Sequence, residues 1–175
     1  MTPEAAYKHA RYDIKGRWPE GEKLILSDPY WAYQYARYVI KGRWPQAEVL
    51  PSKANAFWAY EYARNVVKGR WPEGEKIIKT KPKWAYRYAY DIIEGRWREG
   101  EAIIKTSPEW AYWYATEIVK GRWHEGEAAI MRDPETAYMY ARNTIKGRWP
   151  EAEAVIKTDS YYYNEYKKNV LKIKK

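Results

Sequence analysis

The sequence predicts an all-α protein, an α-solenoid of six two-helix repeats closed by a C-terminal capping helix. Three observations carry this. The tripeptide Gly-Arg-Trp occurs six times, beginning at Gly16, Gly42, Gly69, Gly95, Gly121 and Gly147, at spacings of 26 or 27 residues. Tandem units of that length are too small to bury their own apolar faces, so neighbours supply the burial. Each period also holds one run of helical periodicity and two sets of helix start signals. The repeats fill residues 1–159 as one domain, and 160–175 form a basic C-terminal capping helix or tail.

The long helix comes first in each repeat. In the second, Asp28 is an N-cap and Pro29 stands at the first helical position, where a missing N–H costs nothing. Ser107-Pro108 and Asp133-Pro134 repeat the signal. Gly42 is expected to end the helix by taking the left-handed conformation just past the last turn. A helix of roughly 12 residues lies between these marks. Ala32, Tyr35, Ala36, Val39 and Ile40 share one broad face, whereas Gln34, Arg37, Tyr38 and Lys41 point the other way. Paired alanines recur at the centre of the buried face, from Ala6/Ala10 to Ala137/Ala141, and let neighbouring helices approach closely.

The Gly-Arg-Trp turn follows, then Pro-Glu-Gly-Glu or a variant, which opens a second helix of about eight residues. Glutamates in its first turn suit the helix dipole. Glycine at Gly21, Gly74, Gly100 and Gly126, with Ala47 and Ala152 in the same slot, indicates a position that wants something small. An aromatic ring from a neighbouring repeat lying across it would explain this. A one-residue insertion near Pro51-Ser52-Lys53-Ala54 perturbs the second-to-third junction. At the C-terminus, Tyr162, Tyr163, Tyr166, Val170 and Ile173 are placed to cover the last repeat.

Composition bounds the function. The 175 residues include no Cys, which removes disulfides and thiolate metal sites. The start, Met1-Thr2-Pro3-Glu4, is not a signal peptide, and no apolar run approaches the ~20 residues of a membrane helix. A soluble, cytoplasmic protein without membrane contact is expected. Eleven Trp and 19 Tyr against one Phe give nearly every ring a polar handle. The net charge is +9, of which residues 161–175 supply +4 from five Lys and one Glu.

The consensus Ala-Tyr-x-Tyr-Ala-x-x-x-Ile-x-Gly-Arg-Trp-Pro-Glu-x-Glu is similar to a short helical repeat found in bacteriophage and giant-virus-type proteins, over roughly residues 5–158. The resemblance implies an all-α array and a viral source, hence the host cytoplasm, and brings no activity with it. Arg98 and His124 depart from it where other repeats carry proline. A consensus-type engineered array would share the pattern, but the scattered replacements and the single insertion argue for a natural history. Tetratricopeptide and Sel1-like repeats are similar in plan but longer.

Catalysis is not expected, nor any metal or cofactor. Common enzymes need a nucleophile with a base, a differentiated carboxylate pair or a metal. The two histidines, His9 and His124, occupy a Tyr slot and a Pro slot of the repeat, and no phosphate-cradling glycine loop is present. Gly42, Arg43, Trp44 and Glu48, with Gly69, Arg70, Trp71 and Glu75 and Gly121, Arg122, Trp123 and Glu127, read as a structural ladder. In it an Arg–Glu pair braces the turn, with the guanidinium on indole or bridging repeats; a row of anion sites is the rival reading.

A second stripe is the candidate ligand or partner surface: Arg11, Arg37/Lys41, Arg64/Lys68 and Arg142/Lys146 on the outward face of the long helices, with Tyr33 and Tyr60 a turn back. It is interrupted by Tyr90/Glu94 and Thr116/Lys120. The first expectation is a non-catalytic scaffold binding a protein, in the manner of a viral host-directed inhibitor or adaptor. The alternative is a nucleic-acid or phosphorylated-nucleotide binder using Arg, Lys and aromatic side chains. A third reading is a structural array without a ligand.

Overall fold

The structure, a computed structural model, describes residues 1–48 and 55–173; the 51–54 insertion lies outside the described residues. The chain divides into two compact units, Met1–Thr80 and Lys81–Lys175, each holding three Gly-Arg-Trp turns. Both are built from helices only among the described residues.

In the first unit the helices are α1 (Pro3–Lys8), α2 (Pro19–Ile25), α3 (Pro29–Tyr35), α4 (Pro45–Glu48), α5 (Ala56–Tyr62) and α6 (Pro72–Ile78). The long helices α1, α3 and α5 lie side by side, with α2 against α1 and α6 against α5. The second unit holds α7 (Pro82–Tyr88), α8 (Arg98–Ile104), α9 (Pro108–Trp113), α10 (His124–Ile130), α11 (Pro134–Tyr140), α12 (Glu153–Ile156) and α13 (Ser160–Asn169). Here α7, α9 and α11 form the same row, and α13 packs on α11 and α12 as a terminal copy of the long helix. Each unit therefore has the α-solenoid plan that the period predicts. The N-caps act as expected at Asp28 and Asp133, whose carboxylates accept backbone N–H bonds, but Ser107 makes no side-chain cap.

The paired alanines are the closest-packed positions. Ala6, Ala10, Ala36, Ala63, Ala85, Ala89, Ala111, Ala115, Ala137 and Ala141 expose nothing to solvent, so adjacent helices meet there without intervening side chains. Of the apolar pairs in the short helices, Ile25, Ile78, Ile104 and Ile130 are also fully enclosed.

The long helices end differently from expectation. After Tyr35, residues Ala36–Ile40 widen into a π-wound turn, and the same happens at His9–Ile14, Ala63–Val67, Ala89–Ile93, Tyr114–Val119 and Ala141–Ile145. The Ala36 carbonyl accepts from both Lys41 N–H and Gly42 N–H, a seven-residue closure one residue wider than the Schellman motif. The left-handed residue in it is Lys41, at φ 59°, not Gly42. Lys15, Lys68, Glu94, Lys120 and Lys146 repeat this. The glycine stands one place later and supplies the second N–H of the closure, as any residue but proline could. Its φ is not left-handed, and a Cβ on it would meet nothing within 4 Å, so nothing in either unit explains why glycine is kept there.

Within each unit, consecutive repeats are joined through one tyrosine each. Tyr114 rests its ring on Trp123 of its own repeat, centroids 4.9 Å apart, and sends its hydroxyl into the preceding turn. There the oxygen accepts the Trp97 backbone N–H at 2.8 Å and donates to Glu101 at 3.0 Å. Glu101 in turn pairs with Arg96. Tyr35, Tyr62, Tyr140 and Tyr166 make the same connection to Trp18, Trp44, Trp123 and Trp149. The indoles use bulk rather than polarity: Trp44, Trp97, Trp123 and Trp149 are enclosed, and their Nε1–H groups have no acceptor among the described residues.

The ring over the small slot also differs in origin. A Cβ added to Gly126 would fall 2.2 Å from Cε3 of Trp123, and Gly21, Gly74 and Gly100 face Trp18, Trp71 and Trp97 in the same way. The ring thus belongs to the same repeat, three residues back, not to a neighbour. Where Ala152 fills the slot, the first turn at Pro150–Ala152 is a tighter 3-10 turn. At the C-terminus Tyr166 is enclosed, but Ile173, expected to cover the last repeat, is 58% exposed. The chain has already turned away at Lys172, left-handed at φ 55°.

The two glycine slots should respond differently to alanine. Gly126→Ala is expected to cost about 1 kcal/mol, the lower end of overpacking because Ala152 shows that the turn can rewind. Gly121→Ala, with open space at its Cβ, should stay within about 0.5 kcal/mol of the parent. Chemical denaturation of both variants measures the difference.

Candidate functional site

The Gly-Arg-Trp ladder is neutralised from within. Arg43 Nε and Nη2 donate to the two oxygens of Glu48 at 2.9 and 2.5 Å, and Arg122 does the same to Glu127 at 2.6 and 3.2 Å. Arg70 pairs with Glu75 at 2.7 Å. Bridges to the next repeat add a second acid at longer range, Glu73 for Arg43 at 3.9 Å and Glu151 for Arg122 at 3.7 Å. With a carboxylate on each of these guanidinium groups and a tyrosine hydroxyl on Glu22, Glu48, Glu101, Glu127 and Glu153, this row braces the turns. The face of the indole is taken by tyrosine, as with Tyr35 on Trp44 and Tyr62 on Trp71, where arginine stacking was one expectation.

These contacts move the titrations of the groups involved. The Arg43 bonds hold the Glu48 carboxyl below its ordinary value, and Arg148 does the same for Glu153. Burial pushes the Tyr140 phenol up to about 12, assisted by the nearby Glu127 carboxylate and opposed by the Trp123 N–H bond. Burial likewise raises Tyr62 and Tyr114.

The outer stripe is arranged differently. Arg11 donates to Tyr7 Oη at 2.5 Å, Arg37 to Tyr33 Oη, Arg64 to Tyr60 Oη at 3.3 Å and Arg142 to Tyr138 Oη at 3.2 Å. Tyr33 and Tyr60, expected as stacking surfaces beside these arginines, are only 4% and 1% exposed. Their rings are core: Tyr33 lies 5.8 Å from Trp58 of the next repeat, as Tyr7 lies 5.3 Å from Trp31. They serve the arginines as fixed hydroxyl acceptors. Among the described residues, Arg11, Arg37 and Arg64 make no ion pair with a carboxylate.

In the first unit this stripe opens onto a hollow shared by two consecutive repeats and lined by Arg11, Lys15, Gly16, Arg37, Tyr38 and Lys41. Four cations face it without an acid in the lining. Tyr38, placed outward by the sequence, supplies an exposed ring there, 38% open, and Tyr12, left unassigned by the sequence, lies outside the lining beside Arg11 and is 58% open. The Arg11 guanidinium carbon sits 4.2 Å from the Tyr38 ring centre and 5.4 Å from that of Tyr12. Arg37 lies 4.9 Å from Tyr38. The signal that could have found them is the dipeptide Arg-Tyr, which occurs at Arg11-Tyr12 and Arg37-Tyr38 and at no later repeat in that slot.

Charge follows the same division. Residues 1–80 carry 14 Lys and Arg against nine Asp and Glu, a net +5, whereas residues 81–160 carry 13 of each. In the second unit the stripe keeps Lys120 without an arginine and the pair Arg142 and Lys146, and a separate hollow there is lined by Glu109, Asp133 and Glu135 with Trp113 and Met139. Asp133 is occupied as the cap of α11.

The histidines sit where the repeat pattern puts them. His9 faces Trp18 edge-on at 4.8 Å and bonds Asp13 at 2.8 Å; His124 lies 3.4 Å from Glu127. Among the described residues no group of three His, Asp or Glu side chains is placed to hold a metal, and no helix is long and apolar enough to cross a membrane. Comparison with protein families, with curated proteins and with solved structures finds no match.

Both pH limits follow from the junctions. The tyrosines have raised values, so their contribution to stability is fully present below pH 10.0, the ordinary phenol value, and is lost as pH rises through about 12. The glutamates have lowered values, so theirs is present above 4.5 and is lost as pH falls through the folded value. Absorbance at 295 nm followed with far-UV circular dichroism should show a group of tyrosines that ionises only as the helices melt. Complete ionisation centred near pH 10 with the helices intact would contradict this.

Proposed function

We propose that the protein is a non-catalytic repeat scaffold whose first three repeats bind a phosphate-bearing ligand, a nucleic acid or a phosphorylated nucleotide. The observation that carries this is the hollow of Arg11, Lys15, Arg37 and Lys41 with Tyr38 at its side. A guanidinium held by one neutral hydroxyl keeps its charge and most of its five donors for a phosphate, and the fixed side chain has less rotamer freedom to lose on binding. The ladder arginines, each already on a carboxylate, have no such capacity to spare.

The lysines add a second support. Lys15, Lys41 and Lys68 stand in the left-handed region at φ 58°, 59° and 57°, immediately before a glycine that would adopt it without strain. Glu94, Lys120 and Lys146 share that conformation, so it belongs to the turn; what sets the first unit apart is that all three of its left-handed residues are lysines, each one turn past a stripe arginine. A protein partner would rest on the repeat architecture alone; the phosphate reading has the hollow and its arginine–lysine pairs as well and is preferred for that reason.

Lys41→Gly should therefore raise stability by about 1 kcal/mol while weakening ligand binding. The probe is tripolyphosphate, titrated calorimetrically at about 50 and 200 mM salt. The expected result is salt-sensitive binding by the parent, weaker binding by Lys41→Gly and none by Arg11→Glu with Arg37→Glu. Equal binding by all three proteins, or none by the parent, would refute the proposal.

A further inference from the structure

The basic hollow is one segment of a longer feature. The helices α1, α3 and α5 lie in contact side by side, and so do their π-wound ends. Each carries the same three-part device: a tyrosine in the core, an arginine four residues later on its hydroxyl, and a left-handed lysine four residues after that. Tyr7-Arg11-Lys15, Tyr33-Arg37-Lys41 and Tyr60-Arg64-Lys68 thus place a cation pair on three neighbouring helices in succession. A ligand with one phosphate group would engage one such pair. A ligand whose phosphates recur along a chain would engage all three.

The rings decide which kind of chain. Tyr12 and Tyr38 each follow the arginine directly and keep open surface at two successive repeats, with the guanidinium groups of Arg11 and Arg37 packed against them. An aromatic ring beside a phosphate-binding cation accepts an unpaired base by stacking, whatever the base, whereas paired bases inside a duplex offer no face to it. The third repeat has Asn65 in that slot, and its Nδ2 is spent on Tyr33 Oη and Glu61. Two stacking positions and three phosphate positions remain.

Resting on the phosphate reading above, we infer that the first unit is a short track for single-stranded nucleic acid. The cation pairs of Arg11, Arg37 and Arg64 bind its phosphates, and Tyr12 and Tyr38 stack its bases. Three helices at the usual 8–10 Å spacing span roughly 20 Å, which fits a site of about four nucleotides, the lower end for single-strand sites. The next copy of the stripe, Tyr90, Asp91 and Glu94, reverses the charge, so the track ends within the first unit.

Fluorescence anisotropy of labelled oligothymidylates of two, four and eight residues, with the full chain, tests this. Tripolyphosphate and a 12-base-pair duplex serve as competitors. Affinity should rise steeply between two and four residues and level off beyond, with the duplex competing weakly. Tyr38→Ala should weaken the four-residue oligomer about 5- to 100-fold without changing the salt slope, since stacking releases no counterions. Arg37→Gln should lower the slope by about 0.7. Lys167→Gln with Lys168→Gln, in the basic terminal helix, should leave affinity within about twofold. Circular dichroism checks that each variant is folded, and Tyr12→Ala serves in place of Tyr38→Ala if that variant is not. Tripolyphosphate binding with no gain from oligomer length, with unchanged affinity in the tyrosine variants, or with stronger competition by duplex would overturn the single-strand inference alone. Failure of tripolyphosphate and oligomers together would overturn the phosphate reading with it.

Discussion

A phenol hydroxyl at the boundary between two repeats must find both an acceptor and a donor, because an unpaired buried polar group costs about 1–3 kcal/mol. Here each such tyrosine meets that demand in the turn of the preceding repeat. Tyr114 accepts the Trp97 N–H and donates its O–H hydrogen bond to Glu101, which Arg96 holds in place. The ring of the same residue covers Trp123 of its own repeat. One side chain therefore fixes the geometry of two turns at once, and the alanine pairs close the remaining distance between helices. Much of the conspicuous Gly-Arg-Trp sequence exists to receive that hydroxyl.

The terminal copies obey the same logic. The first repeat carries His9 in the tyrosine slot, and the imidazole keeps the ring contact, with Trp18, while its Nδ1 bonds Asp13 of its own helix. After the last Gly-Arg-Trp turn, α13 contributes Tyr166, whose hydroxyl accepts the Trp149 N–H and donates to Glu153. The segment after α12 thus completes a junction as well as covering apolar surface. The lysine-rich composition of 161–175 obscured this, because charge is easier to see in a sequence than a single hydroxyl in register.

The period, the helix pairs, the buried alanines and the Arg–Glu brace were all legible from residue spacing, since each repeats six times with little variation. What was not legible depends on backbone detail. Gly42 was placed at the left-handed position because glycine is the cheapest residue there; the π-wound closure on Ala36 moves that position to Lys41. Tyr33 is buried, so that its ring packs in the core and its hydroxyl accepts from Arg37. The ring over Gly126 comes from Trp123 of the same repeat, a contact three residues away that helical periodicity alone does not specify. For the candidate site, the stripe of Arg11, Arg37 and Arg64 was visible, and the hollow with Tyr12 and Tyr38 needed the packing of α1 on α3.

The measurement that bears most directly on the tyrosine junction is a double-mutant cycle between Tyr114→Phe and Glu101→Gln, read by chemical denaturation. Residues acting through one hydroxyl should show a coupling energy of about 1 kcal/mol or more. A control cycle pairing Tyr114→Phe with Glu153→Gln, at a different junction, should be additive within about 0.5 kcal/mol. Additivity in both cycles would mean that the repeats are held by apolar packing alone and that the hydroxyl is incidental.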